Sequence, residues 1–307
     1  MKTNHIIEAQ QFSREWLEKE LFPLADEMEK VARSKGSNEL SGKRMVSFFY
    51  EPSTRTRLSF HMAMDFLGGR VVFSTENARE FSSAAKGENI EDTIRILSGY
   101  RPDVIVLRSD KEGMAKTATE YSKVPIINAG DGSGQHPTQA LLDLYTIKKE
   151  VGKIAGISIA MMGDLVNGRT VRSLSYLAGK FSGIKIYYIS PETAKIKDDI
   201  KDYLRRHGIW FEETNDIRKV AGLVDVIYQT RTQKERGTSV AYAKDDFCIV
   251  NKEVLDLMKK DAIVMHPLPR NDEISKEVDK DPRAAYFRQA ENGLYIRMAL
   301  LKMILAG

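Results

Sequence analysis

The sequence predicts an α/β protein built from two doubly wound parallel-sheet domains of similar size that are joined by a helix. Short β-rich runs alternate with amphipathic helical stretches, which is the pattern of parallel sheets with helices on both faces. The pattern restarts after Gly152, where the run GISIAMMG is continuously apolar, as expected for a strand buried on both faces. The length of 307 residues also fits two domains of about 150 residues better than one core.

In the first half of the chain, strands and helices alternate up to a helix at the boundary between the halves. Residues 44–50, RMVSFFY, form the first predicted strand, and the helix TRLSFHMAMDFL that follows ends at the C-cap pair Gly68-Gly69. The later elements are strand RVVF, helix NIEDTIRILSGY, strand DVIVL, helix GMAKTATEY, strand VPIIN and a helix over residues 136–151.

The second half repeats this alternation. After strand GISIAMMG its predicted elements are helix RTVRSLSYLAGKF, strand KIYYIS, helix KIKDDIKDYLRRHG, strand DVIYQT, helix NKEVLDLMKK, strand AIVMHP and a C-terminal helix NGLYIRMALLKMILA. Helices separate the strands of this half as well, so we expect a second parallel sheet.

Composition and charge exclude several classes of protein. With 42% hydrophobic and 29% charged residues the chain is an ordinary globular one, and its net charge of +4 is too balanced for a general nucleic-acid binder. The single cysteine, Cys248, excludes an intrachain disulfide and a cysteine-based metal site. No set of histidine, aspartate and glutamate residues has metal-ligand spacing either, so we expect no metal, and the balanced charge predicts no nucleic-acid partner. The N-terminus lacks the apolar segment of a secretory signal and no run approaches a membrane span, so we also expect no membrane partner and a cytoplasmic location.

Polar clusters accompany six predicted strands, three in each half. Ligands of doubly wound sheets bind beyond the carboxyl ends of the strands, so clusters at these positions are candidate binding residues. The six clusters are STRTR, Arg108, HPTQ, GDLVNGRT, RTQKER and HPLPR.

The cluster STRTR, residues 53–57, predicts a phosphate site. Arginines in the first turn of a helix oppose the helix dipole unless an anion is bound there, and a helix N-terminus already offers free N–H groups to phosphate. Ser53, Arg55 and Thr56 would add further donors. The alternative is a serine N-cap followed by solvated arginines.

The cluster HPTQ places His136 before a proline at the predicted first helical position. The helix dipole disfavours an imidazolium there, so a neutral imidazole would donate a hydrogen bond to a carbonyl rather than act as a general acid. Gln139 follows one turn later and can meet a small amide. A purely structural histidine is the alternative.

In the second half, GDLVNGRT resembles a dinucleotide-binding loop only weakly, because Asp164 and Leu165 stand where a second glycine is needed. Arg169 is a better candidate as a carboxylate ligand. Residues 231–247 form a long polar connection with the composition of a substrate-closing lid, although a solvated loop is the alternative. Two prolines keep HPLPRNDEI out of regular structure, so its carbonyls are fixed and can accept hydrogen bonds from an amine.

Together these motifs resemble the catalytic chains of the aspartate carbamoyltransferase family. The resemblance runs from about Leu40 to the C-terminus. The matching segments, in family order and spacing, are FYEPSTRTRLSF, KGE, GDGSGQHPTQALLDLYTI, GDLVNGRTVRSL, RTQKER and HPLPRNDEI.

The resemblance implies a carbamoyl-phosphate-binding domain over residues 1–137, to which a C-terminal helix at 293–307 returns, and an aspartate-binding domain over residues 138–292. It implies carbamoyl transfer from carbamoyl phosphate to L-aspartate, the committed step of de novo pyrimidine biosynthesis, without a cofactor. It also implies a homotrimer with active sites shared between subunits, and leaves open a separate regulatory chain.

The resemblance further assigns residue roles. The carbamoyl-phosphate ligands would be Ser53, Arg55, Thr56, Arg108, His136 and Gln139, joined by Ser82 and Lys86 of a neighbouring subunit. The aspartate ligands would be Lys86, Arg169, Arg231, Gln233 and the backbone at Pro267 and Leu268. Catalysis would rest on Arg55, Thr56, Lys86, Arg108 and His136, and domain closure on Glu51 and Arg236.

Two rival functions remain at this stage. Ornithine carbamoyltransferases share the phosphate motif, but they typically carry cysteine at the positions of Thr138 and Pro267, and two arginines suit a dicarboxylate better than a cationic side chain. A non-catalytic anion-binding protein on the same scaffold is the other rival, and a turnover assay separates it from an enzyme.

Overall fold

The structure is a computed structural model that describes residues 5–231 and 248–306. Within these residues it contains two parallel sheets, and α-helices connect most of their successive strands, so the predicted fold class is confirmed. The chain divides into two compact units, one made of Met1–Thr138 with Asn292–Gly307 and the other of Gln139–Glu291. Helices α7 (Pro137–Val151) and α11 (Tyr286–Leu305) each contribute residues to both units.

The first unit contains a four-stranded parallel sheet with the order β2-β1-β3-β4. Its strands are β1 (Arg44–Phe49), β2 (Arg70–Thr75), β3 (Val104–Ser109) and β4 (Ile126–Asp131). Its helices before α7 are α1 (Arg14–Trp16), α2 (Phe22–Arg33), α3 (Thr54–Phe66), α4 (Ala78–Phe81), α5 (Ile90–Gly99) and α6 (Met114–Tyr121). Strands β3 and β4 are buried at every position, as their apolar runs predict.

The second unit contains a five-stranded parallel sheet with the order β7-β6-β5-β8-β9. Its strands are β5 (Ser158–Met162), β6 (Lys185–Ile189), β7 (Trp210–Thr214), β8 (Val226–Gln229) and β9 (Ile263–Met265). Its helices between α7 and α11 are α8 (Arg169–Ala178), α9 (Asp198–Arg206) and α10 (Lys252–Leu257). The sequence did not predict β7, because this edge strand is half exposed and reads WFEET rather than a continuous apolar run.

Each sheet reverses its strand order once. In the first sheet the chain runs outward from β1 to β2 and then returns to β3 on the other side, and in the second it returns from β7 to β8, which pairs with β5. Helices on opposite faces diverge at such a reversal, so the carboxyl ends of the two flanking strands open onto a crevice. The ends of β1 and β3, and of β5 and β8, are therefore the positions where the fold favours ligands.

At the reversal of the second sheet, the segments that follow β5 and β8 approach each other so closely that no side chain fits between them. Gly163, directly after β5, has a φ of 115°, and a Cβ atom at this position would lie 2.3 Å from the carbonyl oxygen of Thr230, directly after β8. Only glycine fits both the backbone conformation and the space. Gly163, the first glycine of GDLVNGRT, thus permits the close approach of the two strand ends.

The helices in the part of the chain that the structure describes are all too short or too polar to cross a lipid bilayer.

Candidate active site

The N-terminus of α3 carries the predicted phosphate ligands. Ser53 occupies the N-cap position in an extended conformation, and its hydroxyl makes no capping hydrogen bond, although its carbonyl accepts the Arg57 N–H at 3.0 Å. The N–H groups of the first helical residues have no intrahelical acceptor, because the helix has no preceding turn. Thr56 is buried and Arg55 is exposed at this end.

The two arginines of this turn have different surroundings. Arg57 forms an ion pair with Glu76 at 2.9 Å and donates to the Ser74 hydroxyl at 3.0 Å, both at the end of β2 or just beyond it. The positive charge of Arg57, which is unfavourable at a helix N-terminus, is therefore balanced by the Glu76 carboxylate of the protein itself. Arg55 is exposed, and its role as a phosphate ligand stays a prediction.

Arg108 lies inside β3, one residue before the strand ends, and is nearly buried. Its Nη1 donates to the Ala129 carbonyl of β4 at 3.1 Å, and its Nη2 contacts a Glu51 carboxylate oxygen at 2.6 Å. These contacts hold the guanidinium at the carboxyl edge of the first sheet, beside the end of β1. Glu51, which was predicted to act in domain closure, thus pairs with Arg108 in this structure. Arg236, the other residue predicted to act in domain closure, lies outside the described residues.

His136 is buried immediately before Pro137, which is the first residue of α7 as the sequence predicts.

The side chains of Ser82 and Lys86 lie on the connection after β2. The Ser82 hydroxyl donates to the Ala78 carbonyl at 2.5 Å and accepts the Ala84 N–H at 3.1 Å, so it caps a short 3-10 turn that ends at the exposed Lys86.

The second unit places two predicted aspartate ligands at its reversal. Arg169 is the first residue of α8, which follows the loop after β5, and is nearly buried. Arg231 is half-buried two residues after β8, the strand that pairs with β5. Gln233, the other predicted aspartate ligand of the connection after β8, lies outside the described residues.

The segment after β9 presents backbone acceptors. The Leu268 N–H donates to His266 Nδ1 at 2.7 Å, and the neighbouring Pro267 and Pro269 have no N–H to offer. Because Nδ1 accepts this hydrogen bond, the ring proton of His266 lies on Nε2, which donates to the Glu273 carboxylate at 2.9 Å. Residues 267–269 therefore offer carbonyl groups alone, in agreement with the prediction from the two prolines.

The carboxylate that anchors this histidine has a perturbed pKa. Burial raises the pKa of Glu273, but hydrogen bonds from His266 and from backbone N–H groups outweigh burial, so the pKa lies below its ordinary value. Glu273 is thus ionised at neutral pH and keeps the His266 ring in place.

A buried carboxylate that the sequence did not single out lies one turn after Gln139. Asp143 is fully buried, and its Oδ1 accepts from Gln139 Nε2 at 2.8 Å and from Gln289 Nε2 at 2.7 Å. Its Oδ2 accepts from the Tyr228 hydroxyl at 2.7 Å. The available signal was an aspartate in the apolar run ALLDLY, four residues after a glutamine, which places both side chains on one face of the helix.

Among the described residues, no group of three or more acidic, histidine or cysteine side chains has the arrangement of a metal site. The first unit places hydroxyl, backbone N–H and guanidinium donors at the carboxyl edge of its sheet, and the second unit places arginines and backbone carbonyls at the carboxyl edge of its own sheet. Such groups can bind a small polyanion and stabilise negative charge that develops on an oxygen.

Known proteins are similar to this chain over nearly its whole length. Residues 4–149 match the family model of the carbamoyl-P binding domain of aspartate/ornithine carbamoyltransferases, and residues 155–304 match the model of their Asp/Orn binding domain. A chloroplastic aspartate carbamoyltransferase of Arabidopsis thaliana is 58% identical over 98% of this chain and 78% of the relative. The aspartate carbamoyltransferase catalytic subunit of Methanothrix thermoacetophila is 47% identical over 99% of both chains.

A solved structure agrees with this relationship. Aspartate transcarbamoylase from Trypanosoma cruzi, in complex with carbamoyl phosphate and aspartate, superposes with a TM-score of 0.93 at 42% identity, over 99% of this chain and 97% of that one.

The comparisons correct one expectation and support another. The predicted cytoplasmic location is wrong, because the plant relatives from Arabidopsis thaliana, Oryza sativa and Pisum sativum, at 56–58% identity, are chloroplastic. The family predicted from the motifs is confirmed by the two domain models and by the relatives. The chain belongs to the aspartate/ornithine carbamoyltransferase family.

Proposed function

We propose that this chain is an aspartate carbamoyltransferase, which transfers the carbamoyl group of carbamoyl phosphate to the amine of L-aspartate and releases phosphate. The observation that carries the proposal is the position of the basic and hydroxyl side chains at the strand ends that flank the reversal in each sheet. The relatives named as aspartate carbamoyltransferases support this activity. The reaction would be the committed step of de novo pyrimidine biosynthesis, as the family resemblance implies.

The phosphate end of carbamoyl phosphate is assigned to the N-terminus of α3. The free N–H groups of this turn, the Ser53 hydroxyl and the Arg55 guanidinium match a dianionic phosphate in charge and in hydrogen-bond polarity. Lys86 and Ser82 are assigned to the same phosphate from a neighbouring subunit of a homotrimer, on the strength of the family resemblance. The exposure of Lys86 is compatible with this role.

The chemical step needs stabilisation of an oxyanion. The uncharged aspartate amine attacks the carbamoyl carbon, a C–N bond forms, and negative charge develops on the carbonyl oxygen. Thr56, Arg108 and His136 are assigned as the donors to this oxygen, a kind of interaction that contributes about 3–4 kcal/mol per donor to transition-state stabilisation. The C–O bond to phosphate then breaks, and the leaving phosphate takes the amine proton, so no general base of the protein is assigned.

The two carboxylates of aspartate are assigned to Arg169 and Arg231, which follow the paired strands β5 and β8. Guanidinium groups bind carboxylates through two parallel hydrogen bonds, and they would repel the cationic side chain of ornithine. Gln233 remains a proposed ligand on the basis of resemblance. The carbonyls of Pro267 and Leu268 are assigned to the substrate amine groups, because this segment offers acceptors alone.

Two further assignments are proposals about the setting of the enzyme. From the family resemblance we propose a homotrimer with shared sites, and the same resemblance leaves a separate regulatory chain open. The chloroplastic plant relatives support a plastid location for this chain.

The function is tested by incubating the purified chain with carbamoyl phosphate and either aspartate or ornithine, with product identification by mass spectrometry. We expect N-carbamoyl-aspartate and no citrulline. Turnover of ornithine alone would establish the rival transferase. Binding of carbamoyl phosphate in calorimetry without turnover of either amino acid would establish a non-catalytic anion-binding protein.

A further inference from the structure

The buried carboxylate of Asp143 has a role that the proposed site residues do not include. The carboxylate receives hydrogen bonds from three side chains, those of Gln139, Gln289 and Tyr228. An ionised carboxylate can only accept hydrogen bonds, so each partner must turn a donor toward it. Burial and the neighbouring Asp143 raise the pKa of Tyr228 well above its ordinary value, so its hydroxyl is a neutral donor at all physiological pH values.

For Gln139 this contact decides which end of the amide faces inward. The amide has one oxygen and one nitrogen at nearly equivalent positions, and a free side chain can rotate to exchange them. Asp143 accepts from Nε2 at 2.8 Å and would repel Oε1. The acceptor Oε1 is therefore the atom that Gln139 has available for a ligand, and the ligand group that it fits is an N–H donor.

Gln289 extends the same polarity to the segment after β9. Its Nε2 donates to Asp143 at 2.7 Å, which leaves its Oε1 to accept the His266 N–H at 2.8 Å. His266 in turn accepts the Leu268 N–H. The carboxylate thus fixes, through one glutamine, the start of the segment whose remaining backbone groups are carbonyl acceptors.

We propose that Asp143 is a positioning residue of the carbamoyl-phosphate site, which orients the Gln139 amide so that Oε1 accepts a hydrogen bond from the carbamoyl NH2 group. The inference rests on the proposed function. The NH2 group is the part of carbamoyl phosphate that distinguishes it from acetyl phosphate, in which a methyl group replaces it. Asp143 therefore acts on specificity for the amide end of the substrate, without touching the substrate.

The test compares these two acyl phosphates. The KM of carbamoyl phosphate and the inhibition constant of acetyl phosphate are measured with saturating aspartate, and their ratio reports the contribution of the NH2 group. In Gln139→Ala we expect the preference for carbamoyl phosphate to fall by about 3- to 10-fold, the range of one neutral hydrogen bond. We expect the same fall in Asp143→Ala, and no larger fall in the double variant, because both changes remove one interaction.

Two variants separate positioning from general damage. Tyr228→Phe removes a donor to the other carboxylate oxygen but leaves the Gln139 contact, so it should lower stability and keep the preference. Asp143→Asn should also keep the preference, since its oxygen can accept from both glutamines while its amide nitrogen faces Tyr228. If Asp143→Ala does not fold, Asp143→Leu in the Tyr228→Phe background keeps the volume, leaves no buried hydroxyl without an acceptor, and should lose the preference.

An unchanged preference in folded Asp143→Ala or Asp143→Leu/Tyr228→Phe, beside a reduced one in Gln139→Ala, would overturn the proposal. An equal loss in Asp143→Asn and Asp143→Ala would also overturn it, because the retained acceptor would then not matter. If Gln139→Ala keeps the preference for carbamoyl phosphate over acetyl phosphate, Gln139 does not bind the NH2 group, and the proposal for Asp143 is overturned as well. Failure of the proposed function is recognised separately, since the unmodified chain would then not carbamoylate aspartate.

Discussion

The two arginines in the first turn of α3 provide a matched pair of variants. Arg55 is assigned to the substrate phosphate, whereas Arg57, two residues later, pairs with Glu76 and Ser74. We expect Arg55→Ala to impair carbamoyl-phosphate binding and Arg57→Ala to impair stability. Both variants lose one arginine from the same helix turn, so the change in electrostatic interaction with the helix dipole is nearly the same in the two.

The expected magnitudes follow from these surroundings. A hydrogen bond to a charged group contributes about 1.5–3 kcal/mol, which corresponds to a rise in the KM of carbamoyl phosphate of about 10- to 150-fold in Arg55→Ala. The Arg57–Glu76 pair has side chains that are 28% and 36% exposed, so it resembles a surface ion pair. Arg57→Ala should lower the free energy of unfolding by about 0.2–1 kcal/mol and change the KM by less than about threefold.

The assay is steady-state kinetics with varied carbamoyl phosphate, together with inhibition by inorganic phosphate, which probes the phosphate end alone. Urea unfolding of both variants gives the stability change. Equal rises in KM for the two variants would refute the reasoning, because the effect would then come from the charge of the helix end and not from a specific contact. A normal phosphate inhibition constant in Arg55→Ala would refute the assignment of Arg55.

Three further predictions concern other parts of the site. Arg231→Ala should raise the KM of aspartate at least about tenfold and leave that of carbamoyl phosphate unchanged, and equal losses for both substrates would contradict its assignment. Inactive Lys86→Ala and His136→Ala chains, dissociated and reassembled together, should regain activity if sites are shared, and no gain after confirmed exchange would place Lys86 elsewhere. Because the pKa of Glu273 is depressed in the folded protein, the ionised carboxylate stabilises the fold above its ordinary pKa of 4.5, and this stabilisation is lost as the pH falls through the folded pKa. In urea unfolding between pH 3 and 7, the free energy of unfolding should therefore fall less on acidification in Glu273→Gln than in the unmodified chain. Identical pH profiles of the two proteins would exclude this contribution.

Local sequence patterns were sufficient for the parallel sheets and for the strand ends that carry the candidate residues. Apolar runs such as VIVL define buried strands on their own, and a cluster at a strand end needs only the order of elements. Strand β7 was missed because its exposure removes the apolar signal. Elements whose character is set by neighbouring residues in the chain were therefore predictable.

The pairings between distant residues were not predictable. The bond from Gln139 to Asp143 spans four residues of one helix, but Tyr228 and Gln289 reach the same carboxylate from 85 and 146 residues away. The Glu51 contact with Arg108 likewise depends on how β1 and β3 pair. Charge and spacing suggest which residues need partners, but the fold decides which partners they meet.

In the proposed reaction the phosphate end of carbamoyl phosphate needs hydrogen-bond donors, whereas its NH2 end needs acceptors. The phosphate and the carbonyl oxygen accept hydrogen bonds, and the first unit supplies N–H, hydroxyl and guanidinium donors at the ends of β1 and β3. The carbamoyl NH2 group and the aspartate amine donate, and the oxygen of Gln139 and the carbonyls after β9 are the acceptors proposed for them. Donors arise readily at a helix N-terminus, but an acceptor-only surface requires that every N–H be removed or occupied. After β9 the prolines remove two N–H groups and His266 occupies a third, whereas at Gln139 the Asp143 carboxylate occupies the amide nitrogen, so these groups together leave acceptors for the proposed contacts with the substrate amines.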